Sequence, residues 1–216
     1  MESQFQLLSE LKQGEKNFSG CDIEGAVFDK IDFSEVTFSE CRLPECSFKS
    51  CNFDGAKFIK CSFHSSDFSY SDFSEAVFSS CNLSLTTWRG ATVAGATYED
   101  CKLLGANFLE ARSLGVEFKR SILASAFLRN MNFRKAKLES IDFTEADLAG
   151  CDFRDAELEG CRLKGAHVST AKFSGTDLRF ADLGDLSFQT AGNFTGAVIS
   201  RDQATEILRG LGLKVF

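Results

Sequence analysis

Read in steps of five, the chain keeps one register from Phe18 to Phe188 without an inserted residue. Of the 35 positions in that series, 34 are large apolar residues, mostly Phe or Leu, and only Ser113 breaks the rule. Two residues before each centre runs a second column that stays small or aliphatic, opening with Cys21, Ala26, Ile31, Val36, Cys41, Cys46, Cys51 and Ala56. A period of five fits neither the 3.6-residue helix nor the two-residue alternation of a flat strand. Two inward residues per five, spaced by two, describe a short strand that turns a corner and starts again. The other three residues of each pentad then face water. The corner leaves its own mark: 11 of the 17 glycines fall two residues after a centre, from Gly20 and Gly25 to Gly165 and Gly175. A positive φ at that column explains them, because glycine has no Cβ to clash. The single proline, Pro44, stands at an outward position, where its ring need not enter the core.

This pattern resembles the pentapeptide-repeat family, whose motif reads Ala-(Asp/Asn)-Leu followed by two variable residues. Plain matches are Ala106-Asn107-Phe108, Ala146-Asp147-Leu148, Cys151-Asp152-Phe153 and Ala181-Asp182-Leu183. The resemblance implies an all-β fold, a right-handed quadrilateral parallel β-helix with four pentads to a 20-residue coil. Each coil buries the face of the next, so stability approximates a sum of nearest-neighbour terms. The expected organisation is an N-terminal cap segment over residues 1–15, the β-helix over 16–192, and a C-terminal helix and tail over 193–216 for capping and dimerisation.

Nine cysteines (21, 41, 46, 51, 61, 81, 101, 151 and 161) all occupy the inward column. They read as free, buried, small hydrophobes, neither a disulfide framework nor a metal site. Metal binding wants clustered ligands with histidine nearby, and His64 and His167 stand at outward positions. No nucleophile elbow, phosphate-binding glycine loop or Ser–His or Cys–His pairing is visible. The expectation is a non-enzyme without metal or cofactor. No apolar run is long enough to span a membrane, and no charged leader precedes an apolar block. Reduced thiols fit a cytoplasmic home.

The two ends leave the register. Ser3 and Gln6 have capping-box spacing, and Phe5, Leu8 and Leu11 are expected to share one face of a short helix. At the other end the register fails at Asn193, one residue before Phe194. Ser200 and Gln203 repeat the capping-box spacing. Ala204, Ile207, Leu208 and Leu211 follow at helical intervals, with Gly210 and Gly212 as stops. Leu213 and Val215 extend the apolar series. The segment is similar to the C-terminal dimerisation segment of the Qnr and mycobacterial fluoroquinolone-resistance members of the family. That likeness implies a homodimer through Ala204, Ile207, Leu208, Leu211, Leu213 and Val215.

What remains is the surface. Formal net charge is −7, which argues against nucleic acid as a direct ligand and for a basic partner. On one wall stand Asp32, Glu35, Asp54, Asp72 and Glu75 with no Lys or Arg among them, a stripe with carboxylates roughly 5–10 Å apart. Asp32 and Asp72 are also where the family motif places a turn-forming Asp; Glu35, Asp54 and Glu75 are not. Residues 139–159 form a second acidic band, with Arg154 as the one base inside it. A secondary apolar patch is expected from Leu85, Leu104 and Ile122, with Leu109 and Phe127 on the next wall. Family members with the C-terminal dimer helix resemble B-DNA in size, shape and charge. The resemblance therefore implies DNA gyrase and topoisomerase IV as partners, bound at their DNA-binding saddle, with resistance or immunity to quinolones or natural gyrase poisons as the outcome. Qnr proteins of Gram-negative bacteria carry two projecting loops; the unbroken register leaves no room for them here. The other reading is an interaction scaffold for a different protein, docking through the apolar patch.

Overall fold

The computed structural model describes residues 4–184, 192–210 and 212–215. Every fifth residue from Gly20 to Gly175 has a positive φ, at non-glycine positions such as Lys30, Glu35 and Ser50 as well as at the glycines. The corner is thus a property of the pentad register, and glycine only makes it cheaper. Four such corners return the chain to its starting face after 20 residues. One side of each coil carries a three-residue strand; the other three carry single bridges, as at Asp22↔Arg42, Val27↔Ser47 and Asp32↔Asn52. Backbone polar groups are satisfied between coils. Phe33 N–H donates to Asn52 O at 2.7 Å, and Asn52 N–H donates to Ile31 O at 3.0 Å. This all-parallel, four-sided β-solenoid is the fold class the register implies.

The chain divides into two units, up to Glu117 and from Phe118 onward. The first contains α1 (Gln4–Lys12) and the parallel strands β1 (Asn17–Ser19), β2 (Thr37–Ser39), β3 (Lys57–Ile59), β4 (Val77–Ser79) and β5 (Thr97–Glu99). Phe18, Phe38, Phe58, Phe78 and Tyr98 pair in register along them. Ring stacks fill the interior. Phe58 lies 4.4 Å from Phe78 with planes 7° apart, and Phe53 lies 4.7 Å from Phe73. Trp88 is held between Phe68 at 4.6 Å and Phe108 at 5.3 Å. Rings are offset-stacked within a column and edge-on between columns, as at Phe68–Phe73 (5.2 Å, 88°), so both favourable aromatic geometries are used at once. Each buried Phe contributes about 1.5–3 kcal/mol by removal from water. Serine enters the inward column only with its hydroxyl satisfied: Ser66 Oγ donates to Leu43 O at 2.8 Å and accepts Cys46 N–H at 3.1 Å.

Ser113 does not distort its coil. Val93 N–H still reaches Arg112 O at 2.8 Å and Gly95 N–H reaches Leu114 O at 2.9 Å. In α1 the apolar face differs from the expected one. Leu7 is the buried residue, whereas Phe5 is 83% exposed. The side-chain amide of Gln4 bonds the carbonyl of Val27. Ser3 lies outside the described residues.

The second unit contains β6 (Glu117–Lys119), which starts at the division, β7 (Lys137–Glu139), β8 (Glu157–Glu159), a short 3-10 turn (Gly192–Phe194) and α2 (Arg201–Gly210). Leucine replaces phenylalanine at many centres, but a Phe133–Phe153–Phe173 column persists at 4.9 Å spacings. Phe194 stacks on Phe173 at 4.5 Å, and Val198 pairs with Asp177. Both partners are 21 residues apart where earlier coils give 20. The register therefore resumes after slipping by one residue. Phe188, the last in-register centre of the sequence, lies outside the described residues.

α2 begins with the reciprocal capping box its sequence predicts: Ser200 N–H donates to Gln203 Oε1 at 2.7 Å, and Gln203 N–H donates to Ser200 Oγ at 3.1 Å. The Gln203 amide nitrogen also donates to Leu178 O and Ala181 O, both at 2.7 Å. One side chain thus caps the helix and ties it to the carbonyls of the coil beneath. The helix ends in a Schellman motif, with Gly212 at φ +80° and Leu213 N–H bonded to Leu208 O. Gly212 is the stop; Gly210 lies within the helix.

Candidate protein-binding surface

The wall centred on Phe33, Phe53 and Phe73 belongs wholly to the first unit. Those three rings are fully buried, and Asp32, Glu35, Asp54, Asp72 and Glu75 on the other side of the same backbone are all exposed. None of the five carboxylates forms an ion pair with a described residue. Asp32 and Asp72 stand in one bridged column with Asn52 between them, hence two coils or roughly 10 Å apart. Both make the local turn their motif position suggests. Asp32 Oδ1 accepts Ser34 N–H at 3.0 Å; Asp72 Oδ1 accepts Ser74 N–H at 2.9 Å and Ser74 Oγ at 2.6 Å. The Ser34 amide, with the Ser34 hydroxyl, lowers the Asp32 pKa. The carboxylates of Glu35, Asp54 and Glu75 receive no hydrogen bond from a described residue. The Glu75 carboxylate lies over Gly95, in the space a Cβ there would need. Lys16 reaches the edge of the wall, where its ammonium donates to Ser34 O at 2.6 Å and its charge adds to the lowering of the Asp32 pKa; five exposed carboxylates against this one charge leave a net negative field.

The acidic residues of the second unit are arranged otherwise. Asp142 pairs with Arg162 at 3.3 Å, Asp152 with Arg154, Asp155 with Arg134 at 3.7 Å, Glu157 with Lys137 at 3.8 Å and Glu139 with Arg120 at 4.0 Å; Asp147 pairs with Arg129. The Arg154 guanidinium holds the Asp152 carboxyl down at about 2. The band that looks uncompensated along the sequence is therefore largely neutralised by bases from neighbouring coils.

The expected apolar patch falls on both units. In the first, Leu85 and Leu104 are exposed and Leu109 is half-buried; in the second, Ile122 and Phe127 are exposed. No residue of α2 is buried, with Ala204 and Ile207 half-buried and Leu208 exposed; in the tail, Leu213 is exposed and Val215 half-buried. Leu211 lies outside the described residues.

All nine cysteines are free and buried. Burial pushes the thiols of Cys51 and Cys161 up to about 11 and that of Cys151 to about 12, so they stay protonated and unreactive at neutral pH. Among the described residues no group of three or more His, Cys, Asp or Glu side chains is placed to hold a metal ion. No helix among them is long and apolar enough to cross a membrane.

Comparison with solved structures returns the same architecture. A trypsin-treated form of QnrB1, a plasmid-mediated fluoroquinolone resistance protein, superposes with a TM-score of 0.82 at 23% identity, over 93% of this chain and 100% of that one. Full-length QnrB1 gives 0.79 at 21% identity, over 91% and 100%. HetL, a pentapeptide repeat protein involved in heterocyst differentiation regulation from the cyanobacterium Nostoc, gives 0.56 at 18% identity, over 93% and 92%. At these identities the likeness is one of fold. No curated protein sequence matches the chain. The model of the pentapeptide repeat region matches residues 15–88, 55–128 and 92–173. With that coverage, and with its four-cornered coils in place, the chain belongs to the pentapeptide-repeat family.

Proposed function

We propose that this protein binds type II topoisomerases, DNA gyrase or topoisomerase IV, at the basic surface that otherwise holds DNA. Bound there it modulates the enzyme and gives resistance or immunity to quinolones or natural gyrase poisons. The observation that carries this reading is the wall of five exposed carboxylates without an ion-pair partner, on a fold shared with a fluoroquinolone resistance protein. Acidic groups repeated at coil spacing match the regular charge that a DNA-binding groove is built to receive. The attraction speeds encounter and weakens with salt.

The active species in this proposal is a two-fold homodimer formed through Ala204, Ile207, Leu208, Leu211, Leu213 and Val215. The absence of any buried residue in α2 supports it, because an amphipathic helix gains most of its stability by covering its apolar face. Truncation after Ile199 is expected to give a monomer or an aggregate by light scattering; a stable dimer would contradict the assignment.

A titration of the purified protein into a gyrase supercoiling assay, with and without ciprofloxacin and at two salt concentrations, tests the function. Inhibition or drug rescue at low micromolar protein, weaker at high salt, is expected. No effect in either arm would favour the second reading, a scaffold for another protein, which the exposed Leu85 and Leu104 support.

A further inference from the structure

Among the described residues at left-handed corners, Tyr70 is the only aromatic one. Its counterparts along the same edge are Lys30, Ser50, Gly90 and Glu110, so the turn itself asks for nothing aromatic. Its φ of +62° is that of the other corners, which Lys30, Ser50 and Glu110 adopt as well. The residue is also 62% exposed, so folding recovers little from its burial. Yet the ring is not loose. Its Cδ1 and Cε1 stand 2.8 Å from where a Cβ on Gly90 would lie, so the ring rests on the bare backbone that Gly90 provides. The Tyr70 N–H is fixed to Arg89 O at 3.0 Å. Exposure and a seat on Gly90 coincide at the edge of the acidic wall, two residues before Asp72.

We infer that Tyr70 is the aromatic anchor of the acidic wall: the partner's basic groove is drawn in by the carboxylates and buries the Tyr70 ring at contact. This rests on the topoisomerase reading above and names a specificity-determining residue within it. Exposed carboxylates attract without fixing a register, and salt screens them. A large side chain held in one orientation supplies the register, and it loses little conformational freedom on binding. Tyrosine is among the residues on which binding energy concentrates. The Gly90 seat is part of the device, since any Cβ there would displace the ring.

The test is the affinity of purified gyrase for the wild-type chain, Tyr70→Ala and Tyr70→Phe at several salt concentrations, with a thermal melt of each chain as control. Tyr70→Ala is expected to weaken binding about tenfold or more with an unchanged melt and an unchanged salt slope, because no charge is removed. Tyr70→Phe, which keeps the ring, is expected to stay within about threefold of wild type. Wild-type binding with an equal Kd for Tyr70→Ala would overturn the anchor while leaving the topoisomerase reading intact, and an equal loss in both variants would overturn its assignment to the ring. No binding by the wild-type chain would overturn the reading itself, and the anchor with it.

Discussion

The two units carry acidic residues in similar local positions and put them to different use. In the second unit, Asp142, Asp147, Asp152, Asp155 and Glu157 each have an Arg or Lys within ion-pair distance. In the first, Asp32, Glu35, Asp54, Asp72 and Glu75 have none; Lys16 acts on Asp32 only through its field, and Arg42 and Lys49 pair with Asp22 and Asp67. In a solenoid, the neighbour that decides a charge's effect stands about one coil away. A count along the sequence is therefore a poor measure of the field. The comparison separates acidic residues that fasten coil to coil from acidic residues left open to a partner.

The largest effect is expected beneath the open wall. Phe73 stacks on Phe53 and meets Phe68 edge-on. Phe73→Ala should cost about 3–5 kcal/mol in a denaturant melt, because the stacked neighbours cannot collapse into the void. A loss below about 1 kcal/mol would mean that the wall does not depend on its stack. Next comes the charge itself. Replacing Asp32, Glu35, Asp54, Asp72 and Glu75 together with Asn or Gln should weaken gyrase binding about a hundredfold, about 2.7 kcal/mol, and leave the melt nearly unchanged. The matching replacement of Asp142, Asp155 and Glu157 should do the reverse, leaving binding in place and costing up to about 1 kcal/mol per pair in stability. Equal effects on binding from both sets would erase the distinction between the units.

A smaller, pH-dependent difference should follow from the second unit's pairs. Asp152 sits at about 2 against an ordinary 3.8, chiefly through its bonds to Arg154. Asp177 is lowered by Arg179. For Asp142, burial opposes ionisation, but the bonds from Thr144 and Arg162 prevail and its pKa also falls. A carboxyl whose folded pKa lies below its unfolded value contributes stability that is present above the unfolded value. That stability is lost as pH falls through the folded one. Between pH 4 and 2 (about the span of these shifts) the wild-type melt should therefore drop, and Arg154→Ala should shrink the drop. An unchanged acid profile in Arg154→Ala would show that the pair does not contribute to stability.

The fold was legible because one register of large apolar residues recurs every five residues, the pattern of the pentapeptide-repeat family, and the φ values at every fifth residue follow it. The C-terminal capping box was equally legible, since Ser200 and Gln203 act over three residues of sequence. Contacts set by stacking were harder to read. Arg162 reaches Asp142 from the next coil, and a reading of residues 139–159 alone misses it, although a search at intervals near 20 would have found it. That Leu7 and not Phe5 turns inward is set by how α1 meets the rest of the first unit, and nothing local signals it. The slip that places Phe194 on Phe173 was visible only as a failure of register at Asn193. Tyr70 passed unremarked because an outward aromatic in a five-residue repeat looks like any other surface residue until its seat on Gly90 is seen.

The most direct test of the central claim is whether the protein and DNA exclude one another on gyrase. With labelled duplex DNA bound to gyrase, added wild-type protein should raise the apparent Kd for DNA in proportion to its concentration, and the variant lacking the five wall carboxylates should not. A ternary complex, in which the protein binds gyrase and the affinity for DNA does not change, would contradict the account.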